Sequence, residues 1–256
     1  MEVNSVLVTG ANQGIGLEFV KQFVNLQYPP RHVFATYRNI NTVQTLENIK
    51  NLSSNSEVIL IKMDVREASD IKSAFEVVKG KVGDQGLNLL INNAGAVEYQ
   101  SFPEVTEENL LFHFATNTIG PIAVLKAMLP LLQKSASKNR VTGMSVSKSA
   151  VVNISSIGAS NTKLTEESPR EWLAAIGYRI SKAALNMAMR VAAMTIQDQG
   201  ILIVNICPGW VKTDMGSNKA DLEVEESISS MLGVLSQLNE SHHGAFLDRD
   251  GTPMPF

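Results

Sequence analysis

A tyrosine and a lysine four positions apart, Tyr178 and Lys182 in Tyr-Arg-Ile-Ser-Lys, are the residues of this chain best suited to moving a proton. On a helix that spacing puts both side chains on one face, so the ammonium can approach the phenol. A free tyrosine ionises near ~10, and each unit of depression needs about 1.4 kcal/mol of differential stabilisation. A cation held close by and partly shielded from water supplies several such units. The expectation is a Tyr178 phenol drawn toward neutrality by Lys182, able to serve as general acid or base to a carbonyl. Ser156, a further hydroxyl donor, lies 22 residues upstream. Alone, the Tyr–Lys pair fits an ordinary surface helix better; the rest of the chain decides.

Near the N-terminus, Gly10, Gly14 and Gly16 stand in Thr-Gly-Ala-Asn-Gln-Gly-Ile-Gly, between a strand-like Val6–Thr9 and a helix pattern from Leu17 to Leu26. Glycines permit positive φ in such a turn and let the backbone approach a pyrophosphate closely. The helix that follows offers free N–H groups and a partial positive charge to phosphates. The spacing Gly-x-x-x-Gly-x-Gly departs from Gly-x-Gly-x-x-Gly and points to one branch of dinucleotide-binding proteins.

The elements needed to hold these residues follow in alternation. Strand-like runs at His32–Tyr37, Glu57–Lys62, Asn88–Asn92, Val151–Ser155 and Ile201–Ile206 are interleaved with helical patterns, including about 42–52 and 68–82. Near-continuous apolar strands between amphipathic helices predict an α/β fold: a Rossmann-like, doubly wound parallel sheet with helices on both faces. With no repeat and no linker, residues 1–256 read as a single domain. Its cofactor half spans about 1–120, and its catalytic and substrate half about 121–256.

Composition is that of an ordinary globular chain: 256 residues, 44% hydrophobic, 18% charged, net charge −3. That balance gives no reason to expect nucleic acid or an anionic membrane as partner. No window approaches eighteen apolar residues, and the N-terminus runs straight into a strand, so a cytoplasmic protein is expected. The single cysteine, Cys207, excludes an intrachain disulfide and suits a buried small hydrophobe. His242-His243, without acids or thiols nearby, read as surface histidines, so no metal is expected. Met128, Met187, Met189 and Met194 read as core or interface fillers. Two polar stretches interrupt the alternation. Gln133–Ala150 carries four cations and reads as a helix end and loop, and Asn161–Trp172 reads as a border of the substrate pocket.

Several further motifs stand in order between Ser5 and the C-terminus, and together with the two above they resemble the short-chain dehydrogenase/reductase family. The cofactor loop is Thr9-Gly-Ala-Asn-Gln-Gly-Ile-Gly16; Asp64-Val65, Asn92-Asn-Ala-Gly95, Thr116-Asn-Thr, Asn153-Ile-Ser-Ser156 and Pro208-Gly-Trp-Val-Lys-Thr213 follow it. Within the family the details are similar to sniffer-type (C-factor-like) carbonyl reductases, notably Tyr178-Arg-x-Ser-Lys182, Pro208–Asp214 and Asp250-Gly-Thr-Pro253. The resemblance implies that Asn117, Ser156, Tyr178 and Lys182 are catalytic. It implies cofactor contacts from Gly10, Asn12, Gln13, Gly14, Ile15 and Gly16, from Asp64 and Val65 at the adenine, and from Asn93, Ala94 and Gly95. Tyr178, Lys182, Pro208, Gly209, Val211 and Thr213 would hold the nicotinamide end. By the same likeness, Lys212–Leu238 would form a lid and a homodimer is possible.

Gln13 stands where these proteins usually carry an arginine that helps grip the 2′-phosphate. Arg38 remains at the end of the second strand, with no acid beside it to bind a free 2′-hydroxyl, which favours NADPH over NADH. The leading expectation is an NADP-dependent reductase of aldehydes, ketones or quinones, with Tyr178 as proton donor. The alternatives are a dedicated single-substrate dehydrogenase of the same family and a non-catalytic dinucleotide-binding regulator.

Overall fold

In the structure, a computed structural model that describes residues 2–139, 142–168 and 170–256, seven strands run parallel in the order β3-β2-β1-β4-β5-β6-β7. In chain order the elements are β1 (Ser5–Val8), α1 (Gly14–Val24), β2 (His32–Tyr37), α2 (Gln44–Leu52), β3 (Glu57–Lys62), α3 (Ala68–Val82) and β4 (Leu89–Asn92). The second half holds α4 (Glu107–Phe114), α5 (Gly120–Lys138), β5 (Ala150–Ile154), α6 (Arg170–Leu173), α7 (Ile176–Thr195), β6 (Leu202–Cys207), α8 (Val224–Leu235) and β7 (Phe246–Asp248).

Burial on both faces explains the apolar strands. Val6, Val8, Leu89, Ile91, Val152 and Val204 meet Phe19 and Phe23 of α1 and Met231 of α8. Their alternates Leu7, Leu90, Val151 and Ile203 meet Val78 of α3, Met128 of α5 and Met189 of α7. The order in which strands are added reverses between β1 and β4, so the loops after those two parallel strands open a crevice at the C-terminal edge, where such sheets bind ligands.

The observed bounds of β2, β3 and α3 coincide with the sequence pattern; the short edge strand β7 lies outside it. The greater departure is one continuous helix, Glu107–Lys138, made of α4, a π-helical turn at Ala115–Ile119, and α5. By length and composition it could cross a membrane, contrary to the expectation that no window comes near, but 56% of its apolar window is buried inside the protein. Val124, Met128, Leu131 and Leu132 pack in the core, whereas Leu111, Ile119 and Ile122 are exposed. Gln133–Lys138 closes α5 as expected and Ser145 starts the turn into β5; Arg140 and Val141 lie outside the described residues. Met128 and Met189 are core residues, whereas Met187 and Met194 are more than half exposed.

Candidate active site

At the crevice, Thr9 and Asn93 tie the glycine loop to the loop after β4. The Thr9 hydroxyl accepts from the backbone N–H of Asn93 and Ala94, each at 3.0 Å. The Asn93 amide donates to the carbonyls of Thr9 (2.9 Å) and Gly10 (3.0 Å). Gly10 has φ +62°, and a Cβ there would lie 3.0 Å from Ala94 Cα, so any other residue at this corner would be strained and crowded. Helix α1 begins after Gln13 with no side-chain cap, so its first N–H groups remain for an anion. The loop after β6 reaches the same place: a Cβ on Gly14 would lie 3.2 Å from Thr213 Cγ2. Those features fit a dinucleotide across the crevice.

At its outer end Arg38 is exposed just past β2. Asn12 donates to Thr42 Oγ1 (3.0 Å), while Gln13 donates to Asp214 rather than standing free (3.4 Å). Asp64 is engaged by a residue not singled out from the sequence. Arg66 donates to it through Nε (3.1 Å) and Nη2 (2.7 Å), and its guanidinium packs over the Phe112 ring. The Arg66 hydrogen bond is the first cause holding the Asp64 carboxyl below its ordinary range. An arginine two residues after the aspartate was the available signal. Val65 is buried, in the place where a Cβ on Gly120 would come to 2.8 Å of its Cγ2. Ile15 packs on the α1 side of the sheet.

Ser156 follows β5 in an extended conformation, and its Oγ accepts from Gly158 N at 2.9 Å. Helix α7 brings Tyr178 and Lys182 to it: Ser156 Oγ and the Tyr178 ring both border Gly158, and Ser156 acts to lower the phenol's pKa. Lys182 is 4% exposed, donates from Nζ to the carbonyl of Ile154 (2.7 Å), and stands 5.8 Å from the Tyr178 ring centre.

The electrostatic outcome differs from the expected depression. Burial pushes Tyr178 up to about 12, against the lowering hydrogen bond from Ser156, and burial pulls Lys182 down to about 8. Tyr178 keeps part of its surface exposed, so the rise reflects densely packed protein around the phenol rather than a sealed cavity. Desolvation outweighs the lowering influences of Ser156 and Arg179, and Lys182, its ammonium turned to Ile154, is not among the groups that lower the phenol.

Asn117, in the π-helical turn, is fully buried. Its Oδ1 accepts from Ala96 N, and its Nδ2 donates to Ala96 O (both 2.9 Å) and to Ser181 Oγ (3.0 Å). That amide is committed to protein, so it braces the loop after β4 against α7. Gly95 fits between: a Cβ there would be 3.3 Å from Asn117 Oδ1 and 3.6 Å from Lys182 Nζ.

A second brace escaped the sequence reading. Buried His113 of α4 points Nδ1 at Asn109 O (2.7 Å) and accepts from Glu98 N through Nε2 (3.0 Å), a neutral imidazole with its proton on Nδ1. A Cβ on Gly177 would come within 2.6 Å of His113 Nδ1, so this glycine, next to Tyr178, lets α7 dock on α4. His243 is also more than a surface residue. It accepts from Ile203 N (3.2 Å) and donates to Ala193 O (2.9 Å), joining β6 to α7. Cys207 is buried as expected, its thiol pushed up by burial and accepting from Ile157 N (3.1 Å).

Past β6, Pro208 is buried, Gly209 has φ +83°, and Val211 is bridged to Leu222. Trp210 Nε1 donates to Gly216 O at 2.7 Å, and Lys212 pairs with Glu223, so the expected lid is tied down at its start. Residues 161–167 are exposed, and Thr162 donates to the Phe256 carbonyl at 3.1 Å; Pro169 lies outside the described residues. A shallow apolar groove of about 390 Å³ between α3 and α5, lined by Phe75, Ala123 and Lys126 among others, contains none of the candidate site residues.

Comparison with known proteins places these features in context. Residues 4–223 match the family model described as short chain dehydrogenase. The NADPH-bound carbonyl reductase from chicken fatty liver is 40% identical, with TM-score 0.94, over 100% of this chain and 95% of that one. The carbonyl reductase Sniffer of D. melanogaster is 38% identical, with TM-score 0.93, over 100% of both chains. The C-signal protein of Myxococcus xanthus is 34% identical over 171 residues, 66% of this chain and 93% of its own length.

Proposed function

Because this chain belongs to the short-chain dehydrogenase family, a family of oxidoreductases, we propose that it reduces the carbonyl of an aldehyde, ketone or quinone with NADPH. The observation that carries this reading is the meeting of Ser156, Tyr178 and Lys182 at the same C-terminal edge of the sheet from which the uncapped α1 starts. Two carbonyl reductases at 38% and 40% identity over the whole chain support the substrate class. Bound NADPH supplies the hydride.

Gly10, Asn12, Gln13, Gly14, Ile15 and Gly16 would hold its pyrophosphate, and Arg38 its 2′-phosphate. Asp64, Val65 and Asn93–Gly95 would lie along the adenine and ribose; Pro208, Gly209, Val211 and Thr213 along the nicotinamide. The substrate oxygen accepts hydrogen bonds from Ser156 Oγ and Tyr178 Oη. Burial keeps the phenol protonated at neutral pH, so Tyr178 arrives as an acid, the form that carbonyl reduction consumes. Its proton passes to the oxygen as negative charge develops there, where donors lower the barrier most. Lys182, still largely an ammonium at neutral pH, adds positive potential beneath the phenol. Asn117 holds Ser181 and Ala96 in place around it.

The test is oxidation of NADPH by purified protein with an o-quinone, wild type beside Tyr178→Phe. A loss of at least ~100-fold in kcat is expected, the lower bound for general acid catalysis. A variant within threefold of wild type overturns the assignment. Absence of turnover by the wild type, with nucleotide bound, moves the reading to a single-substrate enzyme or a non-catalytic binder.

A further inference from the structure

Three consecutive residues at the end of β5 meet one face of α7. Ile154 O takes the Lys182 ammonium, Ser156 lies at Tyr178, and between them Ser155 Oγ donates to Asn186 Oδ1 at 2.7 Å. Tyr178, Lys182 and Asn186 are spaced four apart, so they form one stripe along the helix. The Ser155–Asn186 bond is the inner end of that stripe. Ser155 is 2% exposed and Asn186 1%.

It also continues a polar seam through the sheet. Asn92, Asn153 and Asn205 are partners in register across β4, β5 and β6. Alternation places all three on the side covered by α7. Asn92 donates to Asn153 at 2.9 Å, yet Asn205 on one side and the Asn186 amide nitrogen on the other are buried without a protein partner. Leaving such groups buried costs free energy, so a packing interface built for stability alone would use apolar side chains here. Polar pairs have one preferred geometry, which apolar ones lack.

We propose that Ser155 and Asn186 are positioning residues: their buried hydrogen bond sets the height and tilt of α7 on β5, and through it the approach of Tyr178 to Ser156. The inference rests on the reductase reading for its kinetic arm. Eight residues separate Asn186 from Tyr178, about 12 Å of helix at ~1.5 Å per residue, so a tilt of ~5° at the anchor moves the phenol by ~1 Å. A misplacement of ~1 Å in a catalytic group costs on the order of 100-fold.

The experiment compares Ser155→Ala, Asn186→Leu, their double and Ser155→Thr in the full chain. Each is followed by steady-state kinetics, nucleotide binding and ¹³C-tyrosine NMR. With four tyrosines in the chain, the Tyr178 Cζ resonance is assigned by Tyr178→Phe. Expected are a fall in kcat on the order of 10- to 100-fold, a nucleotide Kd within about threefold, and a Tyr178 Cζ resonance displaced from its wild-type position in each single variant. The double should be no worse than the poorer single, and Ser155→Thr should restore both signals, because the two side chains act as one contact. A folded Ser155→Ala or Asn186→Leu protein with Tyr178 Cζ at its wild-type position, or with kcat within threefold of wild type, overturns the proposal. A wild-type protein without reductase turnover counts against the reductase reading alone, and the resonance then decides the positioning inference.

Discussion

Replacing Lys182 with methionine should remove activity while relieving the fold of a buried charge, and the pH dependence of that relief is calculable. The lysine sits 4% exposed, with its pKa pulled from 10.5 to about 8 by burial. The unfolded chain therefore holds this proton more tightly than the folded one. Stability contributed at this site is lowest below pH ~8 and rises as pH climbs toward ~10.5, because there the unfolded state binds the extra proton. At ~1.4 kcal/mol per unit the full span is on the order of 3 kcal/mol, and between pH 7 and 10 about 2–3 kcal/mol of it is traversed.

The methionine also loses the 2.7 Å bond to Ile154 O, worth roughly 1–3 kcal/mol for a charged donor, so near pH 7 the variant should match or exceed wild type. Urea denaturation of both proteins at pH 7, 8, 9 and 10 measures the gap directly; titrating groups not coupled to Lys182 cancel in the difference, and Cys207 is the coupled one. Wild type should gain on the variant at each step up in pH. A gap that stays flat, or moves the other way, refutes the burial argument for Lys182.

Three other perturbations test separate parts of the site. Arg38→Ala should weaken NADPH binding by about tenfold and leave NADH within about threefold, since on the proposed reading only the 2′-phosphate would pair with this guanidinium; titration of protein fluorescence with each nucleotide measures both. Gly158→Ala would place a Cβ 3.1 Å from Ser156 Oγ and 3.5 Å from Tyr178 Cε1, and should lower kcat by about tenfold with unchanged nucleotide affinity in steady-state assays. Asn117→Ala strips three hydrogen bonds and leaves Ala96 N–H unpaired, a loss of roughly 2–4 kcal/mol visible as a lower urea midpoint.

The regular elements were largely legible because their signals are local. His32–Tyr37 and Glu57–Lys62 are short apolar or β-branched runs bounded by turn residues, and both strands begin and end where the pattern does. The edge strand Phe246–Asp248 is three residues long and exists through its pairing with β6, so nothing within it announces a strand. The π-helical turn at Ala115–Ile119 is likewise invisible in a stretch that reads as continuous helix. Arg66, His113 and Gly177 escaped notice because their importance lies in what they touch.

By itself the sequence determined the α/β architecture, the order of the motifs around the crevice, and the candidates Ser156, Tyr178 and Lys182. Periodicity and glycine placement depend on a few neighbouring residues, and so survive being read one residue at a time. The tertiary structure alone decided the direction in which Tyr178 is shifted, where the Lys182 ammonium points, and that Gln13 is held by Asp214. Desolvation sums over every atom packed around a group, from β5, β6 and α7 together, and that sum does not exist until the chain is folded.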